Sequence, residues 1–350
     1  MLSLELLLAG AMLVALTFYS LLGGADYGGG VWDLFARGSR ASEQRALIAH
    51  AIGPIWEANH VWLILVVVIL FTAFPPAFST IATALHIPLT LLLIGIVLRG
   101  SAFTFRTYDS QRDRVQRRWS RVFSIASIIA PVLLGVIVGA IASGMIRIEN
   151  GNVVSGFVRP WLAPFPFAVG FFALSLFAFL AAVYLTLETS DRELGDDFRQ
   201  RALFSGVAVG VLALFVFLLS GTYAPKIRAG ITGSPWAIPL HVATALCAVG
   251  AFGTLWSRKY KLARLCAAGQ VTLILWGWAV AQFPYIVEPD ITIHSAAAPP
   301  ETLRLLLIAL GAGALILFPS FYYLFRVFKS HTAFGGLIDK AGSPGMEDKE

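Results

Sequence analysis

Charge and cysteine are both scarce in this chain, and each scarcity excludes something. Charged side chains make up 13% of the 350 residues against 57% hydrophobic ones, and the mean hydropathy is +0.77. That rules out a water-soluble globular domain, whose surface needs far more polar cover. The two cysteines, Cys247 and Cys266, both fall in apolar runs. So few exclude a disulfide framework and any paired-cysteine zinc or iron–sulfur motif, and they read as small packing residues. No run alternates polar and apolar residues, which excludes the strands of a membrane barrel. The formal charge of +6 is spread over short loops, so it speaks for membrane orientation and against nucleic acid as a partner. The first apolar run, from Leu4, lacks the basic start and small-residue cleavage site of a signal peptide, and is expected to be a retained helix.

What is present in abundance is long hydrophobic runs. A bilayer core about 30 Å thick needs about 20 apolar residues per helix. Nine runs meet that length, at 4–24, 54–74, 78–103, 122–144, 162–187, 203–222, 236–256, 265–287 and 302–325. The expected fold is therefore an all-α integral membrane protein with nine transmembrane helices, a membrane domain over 1–328 and a solvated tail over 329–350. Pro88 and Pro131 stand inside runs, where membrane helices tolerate them. The spacing is compatible with a repeat of four helices plus four, although no residue-level self-similarity supports one.

Orientation follows from the basic residues. Twenty Lys and Arg fall in segments after odd-numbered runs and four (Arg147, Arg159, Lys226 and Arg228) on the other side. By the positive-inside rule the N-terminus is expected outside and the C-terminus in the cytoplasm.

Against this background, ionisable residues within runs stand out. The first run ends in GGADYGGGVWDL and the second opens with GPIWEANHVW. Orientation brings Asp26, Glu57 and Arg99, on three consecutive spans, to similar depth near the cytoplasmic side. Each has a plain structural reading: Glu57 complements a helix N-terminus, Arg99 snorkels to the interface, and Asp26 belongs to a glycine-softened boundary. Glu57 and His60, three residues apart, share one helix face. A carboxylate beside an imidazole is what a proton relay requires. The histidines also raise the question of heme. His60 is expected toward the inner end of its span, with His86 and His241 toward the outer ends of theirs. His50 and His331 fall in inner segments and His294 in an outer loop. No regular pairing across spans emerges, so heme ligation by this chain is not expected.

GGADYGGGVWDL, GPIWEANHVWLI, ALHIPLTLLLIGIVLRGSAFTFR and QFPYIVEPDITIHSAAAPPETL, taken together and in order, resemble subunit II of the cytochrome bd family of quinol oxidases. The resemblance implies two four-helix bundles plus one peripheral helix in a bacterial-type plasma membrane. It implies a partner, subunit I, that carries two b-type hemes, one d-type heme and the quinol site, and reduces dioxygen to water. Some members add a small accessory subunit, and some hold a structural quinone or lipid in subunit II. Residue by residue, Asp26 and Glu57 match acids lining a cytoplasmic proton pathway, with Trp56 and Asn59 in the same motif and Arg99 matching a family arginine. Where this chain has Glu57 and His60, many members have Asp and Gln. Rival readings are a secondary transporter, which midplane charges and interrupted helices would favour, and a purely structural membrane subunit.

Overall fold

The computed structural model describes residues 3–53, 56–108 and 113–329. The chain is helical almost throughout, because apolar stretches this long can satisfy their backbone groups in lipid only within a helix. Among the described residues, nine helices are long and apolar enough to cross a membrane. The first is composite: α1 (Leu4–Phe18) passes through a π-helical turn (Tyr19–Gly23) into α2 (Gly24–Leu34). The amphipathic α3 (Ala41–Ile52) leads to α4 (Trp56–Ala73). Next come the short α5 (Pro75–Ala84), then α6 (His86–Tyr108) and α7 (Asp113–Ala142). The second half holds α8 (Pro164–Leu185), α9 (Arg192–Tyr223), the short α10 (Pro225–Gly233), α11 (Ala237–Trp256) and α12 (Tyr260–Gln282). Last is α13 (Pro300–Lys329).

Two expected boundaries move. The run at 4–24 belongs to a helix that continues to Leu34, because the glycines of GGADYGGG are buried against neighbouring helices where the expectation placed a boundary. The run at 78–103 is two helices, since α5 ends at Ala84, Leu85 breaks the helical backbone (φ −116°, ψ 21°) and α6 begins at His86. The apolar residues 78–84 belong to α5 and not to the span that α6 forms.

The four-plus-four repeat is plain in the topology. In each half the second span ends at a residue of similar, non-helical backbone, Phe74 (φ −133°, ψ 57°) and Ala224 (φ −143°, ψ 61°). A proline at the first helical position then starts a short helix. In each half the fourth span is followed by a two-stranded antiparallel hairpin: β1 (Ile148–Glu149) with β2 (Asn152–Val153), and β3 (Tyr285–Val287) with β4 (Ile291–Thr292). α13 lies outside both bundles. It rests on the first through Phe321, which stacks on Trp62, and through Phe318, whose ring is tilted against those of Trp62 and Phe18.

The two bundles meet along α2, α7 and α8, where packing is tightest. A Cβ on Gly28 would fall 1.9 Å from the Phe177 carbonyl oxygen of α8, and one on Gly30 2.2 Å from Ser127 of α7. Only glycine lets the backbones approach so closely. The Trp32 indole donates to the Ala178 carbonyl at 2.7 Å across the same seam. At the arginine-rich end, Arg40 grips Asp197 of α9 with two nitrogens at 3.0 and 2.7 Å, and the buried Gln44 of α3 donates to the same carboxylate at 2.8 Å. Asp191 caps α9 by accepting from the Glu193 and Leu194 amides. α3, and with it the start of α4, is thereby tied to the second bundle.

Candidate functional site

The composite first helix sets the site. α2 continues eight residues beyond Asp26, so this carboxylate lies about 12 Å from the helix end at 1.5 Å per residue. It is deeper than a boundary position, and it is 5% exposed. Asn59 of α4, fully buried, donates its Nδ2 to Asp26 Oδ2 at 2.5 Å. This bond holds the Asp26 carboxyl group in place where water is scarce.

Arg99 of α6 enters from the other side. It is 2% exposed, so it does not snorkel to water. Its guanidinium carbon lies 4.7 Å from the centroid of the Tyr27 ring and 5.2 Å from that of Phe123, and its Nε donates to Ser127 Oγ at 3.2 Å. Aromatic faces and a hydroxyl thus replace much of the cation's lost hydration. Tyr27 follows Asp26 directly in sequence, and both Asp26 and Arg99 lie within electrostatic reach of its hydroxyl. The Tyr27 and Tyr19 hydroxyls are 3.1 Å apart. Both tyrosine rings and Trp56 surround the His60 imidazole, with centroids 6.1 to 6.3 Å away. A buried acid, amide, imidazole, two phenols and guanidinium therefore share one polar pocket in an otherwise apolar bundle.

Glu57 is not in it. Its side chain is exposed on the surface of this chain, at the head of a stripe continuing through Val61, Ile64, Val68 and Phe71, all exposed. The reason is azimuth: two residues along an α-helix turn the side chain by about 200°, so burying Asn59 sends Glu57 outward. His60, three residues on, is partly buried and bridges the two faces.

Residue reasoning missed several members. Tyr19 and Tyr27 looked like ordinary span aromatics. Ser127 and Ser124 of α7 are ambiguous in any helix; Ser124 Oγ donates at 2.9 Å to Asp33, a second buried acid of α2.

The histidines within the spans make local contacts. His86 is exposed and its Nδ1 engages the Thr83 carbonyl at 3.0 Å. His241 engages the Ala237 carbonyl at 2.6 Å, and His60 sits among aromatic rings. His331 lies outside the described residues. Among the described residues no group of three or more His, Cys, Asp or Glu side chains is placed to hold a metal ion.

Fold and site together define a polytopic helical membrane protein with internal duplication and a buried ionisable cluster toward its arginine-rich face. The family model for cytochrome bd terminal oxidase subunit II matches residues 4–328, and the chain belongs to that family. It is 23% identical over 319 residues to a putative cytochrome bd menaquinol oxidase subunit II of Bacillus subtilis, covering 89% of this chain and 91% of the relative. It is 26% identical over 339 residues to a cytochrome bd ubiquinol oxidase subunit 2 of the same organism, covering 91% and 96%. Among solved structures, a chain of the bd oxidase from Geobacillus thermodenitrificans is similar in fold, with a TM-score of 0.78 at 20% identity, over 93% of this chain and 98% of that one.

Proposed function

We propose that this chain acts as subunit II of a membrane-bound quinol:oxygen oxidoreductase and lines a proton route from the cytoplasm toward oxygen chemistry performed in a heme-bearing partner, subunit I. The observation that carries the reading is the Asn59–Asp26 hydrogen bond inside the bundle. Ionisable groups buried in spans are costly and mark pathways. Family membership supplies the demand: reduction of one dioxygen to two waters consumes four electrons and four protons, and two quinols supply the electrons.

The orientation proposed is the one the basic residues favour, with the arginine-rich face and the 329–350 tail in the cytoplasm of a bacterial-type plasma membrane. Protons then enter near the start of α4. Glu57, on the chain's surface, collects them where α4 meets the boundary or the partner. His60, partly buried at the edge of the pocket, and Trp56 beside it lead inward from that surface. Asn59 orients the Asp26 carboxyl group, which exchanges the proton. Arg99 supplies the positive charge that keeps an acid usable in a dry site, and Tyr27 and Tyr19 carry hydroxyls onward. The two b-type hemes, the d-type heme and quinol binding are assigned to the partner, and no step here runs through a heme held by this chain. A small accessory subunit, and a structural quinone or lipid against the exposed apolar faces, complete the proposed assembly. The relatives are named for menaquinol and for ubiquinol, and either fits this account.

The reading is tested by Asp26→Asn in the assembled complex. The amide keeps the shape and removes the proton carrier, so quinol-driven oxygen consumption should fall on the order of 10²-fold, the lower range for a positioned acid or base, while the heme spectrum is unchanged. Normal turnover would reject Asp26 as a relay.

A further inference from the structure

Away from this pocket, on the arginine-poor face, the segment joining α12 to α13 buries a carboxylic acid. Glu288 lies just after β3 and is 2% exposed. Its backbone amide donates to the Ile141 carbonyl in the last turn of α7 at 3.2 Å. Its Oε1 has no hydrogen-bond partner among the described residues. Val287, the preceding residue, is fully buried, as are Ala296 farther along the segment and Ile146 just beyond α7.

The charged groups near it are few. Lys226 of α10 acts on it electrostatically while its Nζ sits 4.1 Å from the centroid of the Tyr285 ring. Asp290 is occupied by Arg147 at 3.3 Å and by the Ile148 amide at 2.9 Å. Farther along the segment, His294 pairs with Glu5 of α1 at 2.9 Å. The sequences of α5, the last two turns of α7 and the last two turns of α12 contain no charged residue.

We propose that Glu288 is a proton-binding site that couples the packing of residues 283–296 against α7 to the pH of the aqueous phase on the arginine-poor face. An ionised carboxylate with a bare buried oxygen is disfavoured there, whereas the neutral acid is tolerated. Burial pushes its carboxyl up to about 7, with Lys226 pulling weakly the other way. A segment that opens to water restores the ordinary carboxylate value. Because the closed form holds its proton more tightly than the open form, closure is favoured at low pH and lost as pH rises toward 7, levelling off above. With closed and open values of about 7 and 4.5, the opening equilibrium should rise about thirtyfold between pH 5.5 and 8.5.

The test uses the intact complex in detergent. Infrared difference spectra should show a carboxylic C=O band that disappears with a midpoint near pH 7 and is missing in Glu288→Gln. Hydrogen exchange of peptides covering 283–296, corrected for intrinsic rates, should show the thirtyfold rise in opening, and Glu288→Gln should flatten it. Should Glu288→Gln fail to assemble, Lys226→Met decides: removing the cation should move the midpoint upward. The proposal is overturned if wild-type opening is flat across this range, or if no band that depends on Glu288 or Lys226 titrates within it.

Discussion

Adding one methyl group at Gly28 should do measurable harm, and the size of the harm can be worked out. An ideal Cβ there would stand 1.9 Å from the Phe177 carbonyl oxygen and 2.7 Å from the Ala181 Cβ. A carbon and a carbonyl oxygen come no closer than about 3.3 Å, so α2 and α8 must part by roughly 1.4 Å. The obstacle is helix backbone, so no rotamer change relieves it. The same separation would stretch the Trp32–Ala178 bond from its 2.7 Å to about 4 Å, past any useful hydrogen bond. Overpacking of this kind costs about 1–3 kcal/mol, and the lost bond about 1 kcal/mol more. Gly210 is the control: it also lies in a long helix, α9, but a Cβ there meets nothing within 4 Å. Alanine at that position should be neutral or stabilise by about 0.5–1 kcal/mol. The assay is the fraction of assembled complex that survives a temperature series, read by heme absorbance after size exclusion. Gly28→Ala should lose assembly at clearly lower temperature than wild type, and Gly210→Ala should not. Equal survival of the two variants would refute the close-approach argument for the α2–α8 seam.

Two further outcomes follow from the proposed route and its direction. Glu57→Gln should slow quinol-driven oxygen consumption while leaving the heme spectrum intact, and Glu57→Asp should retain more activity because it keeps a titratable group. If Glu57 only complements the dipole of α4, worth about 0.3–1 kcal/mol, both variants should turn over normally. For orientation, a reporter fused after Lys340 should be active only in the cytoplasm and one placed near Asn152 only outside; the reverse pattern would invert the direction of the route.

Much of the fold was legible because the bilayer imposes a length that few other constraints mimic, and nine apolar runs satisfy it. Where reading failed, burial against other helices had replaced burial in lipid. The glycines of GGADYGGG look like a boundary in sequence, yet they are where α2 presses on α7 and α8. Residues 78–84 are as apolar as a span, but Pro75 and Pro76 restart the chain in a separate short helix. At the site, the rare charges Asp26 and Arg99 announced themselves, since an ionisable group in a span is conspicuous whatever its neighbours. Depth was misplaced for Asp26, since α2 runs on eight residues past it, and azimuth was not legible at all. Choosing between Glu57 and Asn59 as the inward residue depends on which way α4 is rolled, and that is fixed by packing such as Trp62 against Phe18 and Phe321. Ser124, Ser127, Tyr19 and Tyr27 were invisible for a related reason: each residue type is common in membrane helices, and only its neighbours give it a role. Glu288 is hidden by its place in a loop, where a carboxylate is ordinarily solvated.

The account's central claim is that Asp26, held by Asn59, passes protons inward from the arginine-rich face. The most direct measurement is proton uptake itself, followed with a pH-sensitive dye outside detergent-solubilised complexes while the fully reduced enzyme reacts with dioxygen, in wild type and Asp26→Asn. The account predicts that electron transfer within the partner begins at its normal rate in the variant, while proton uptake and the steps that depend on it are delayed on the order of 10²-fold. Uptake in Asp26→Asn with wild-type timing and stoichiometry would contradict it.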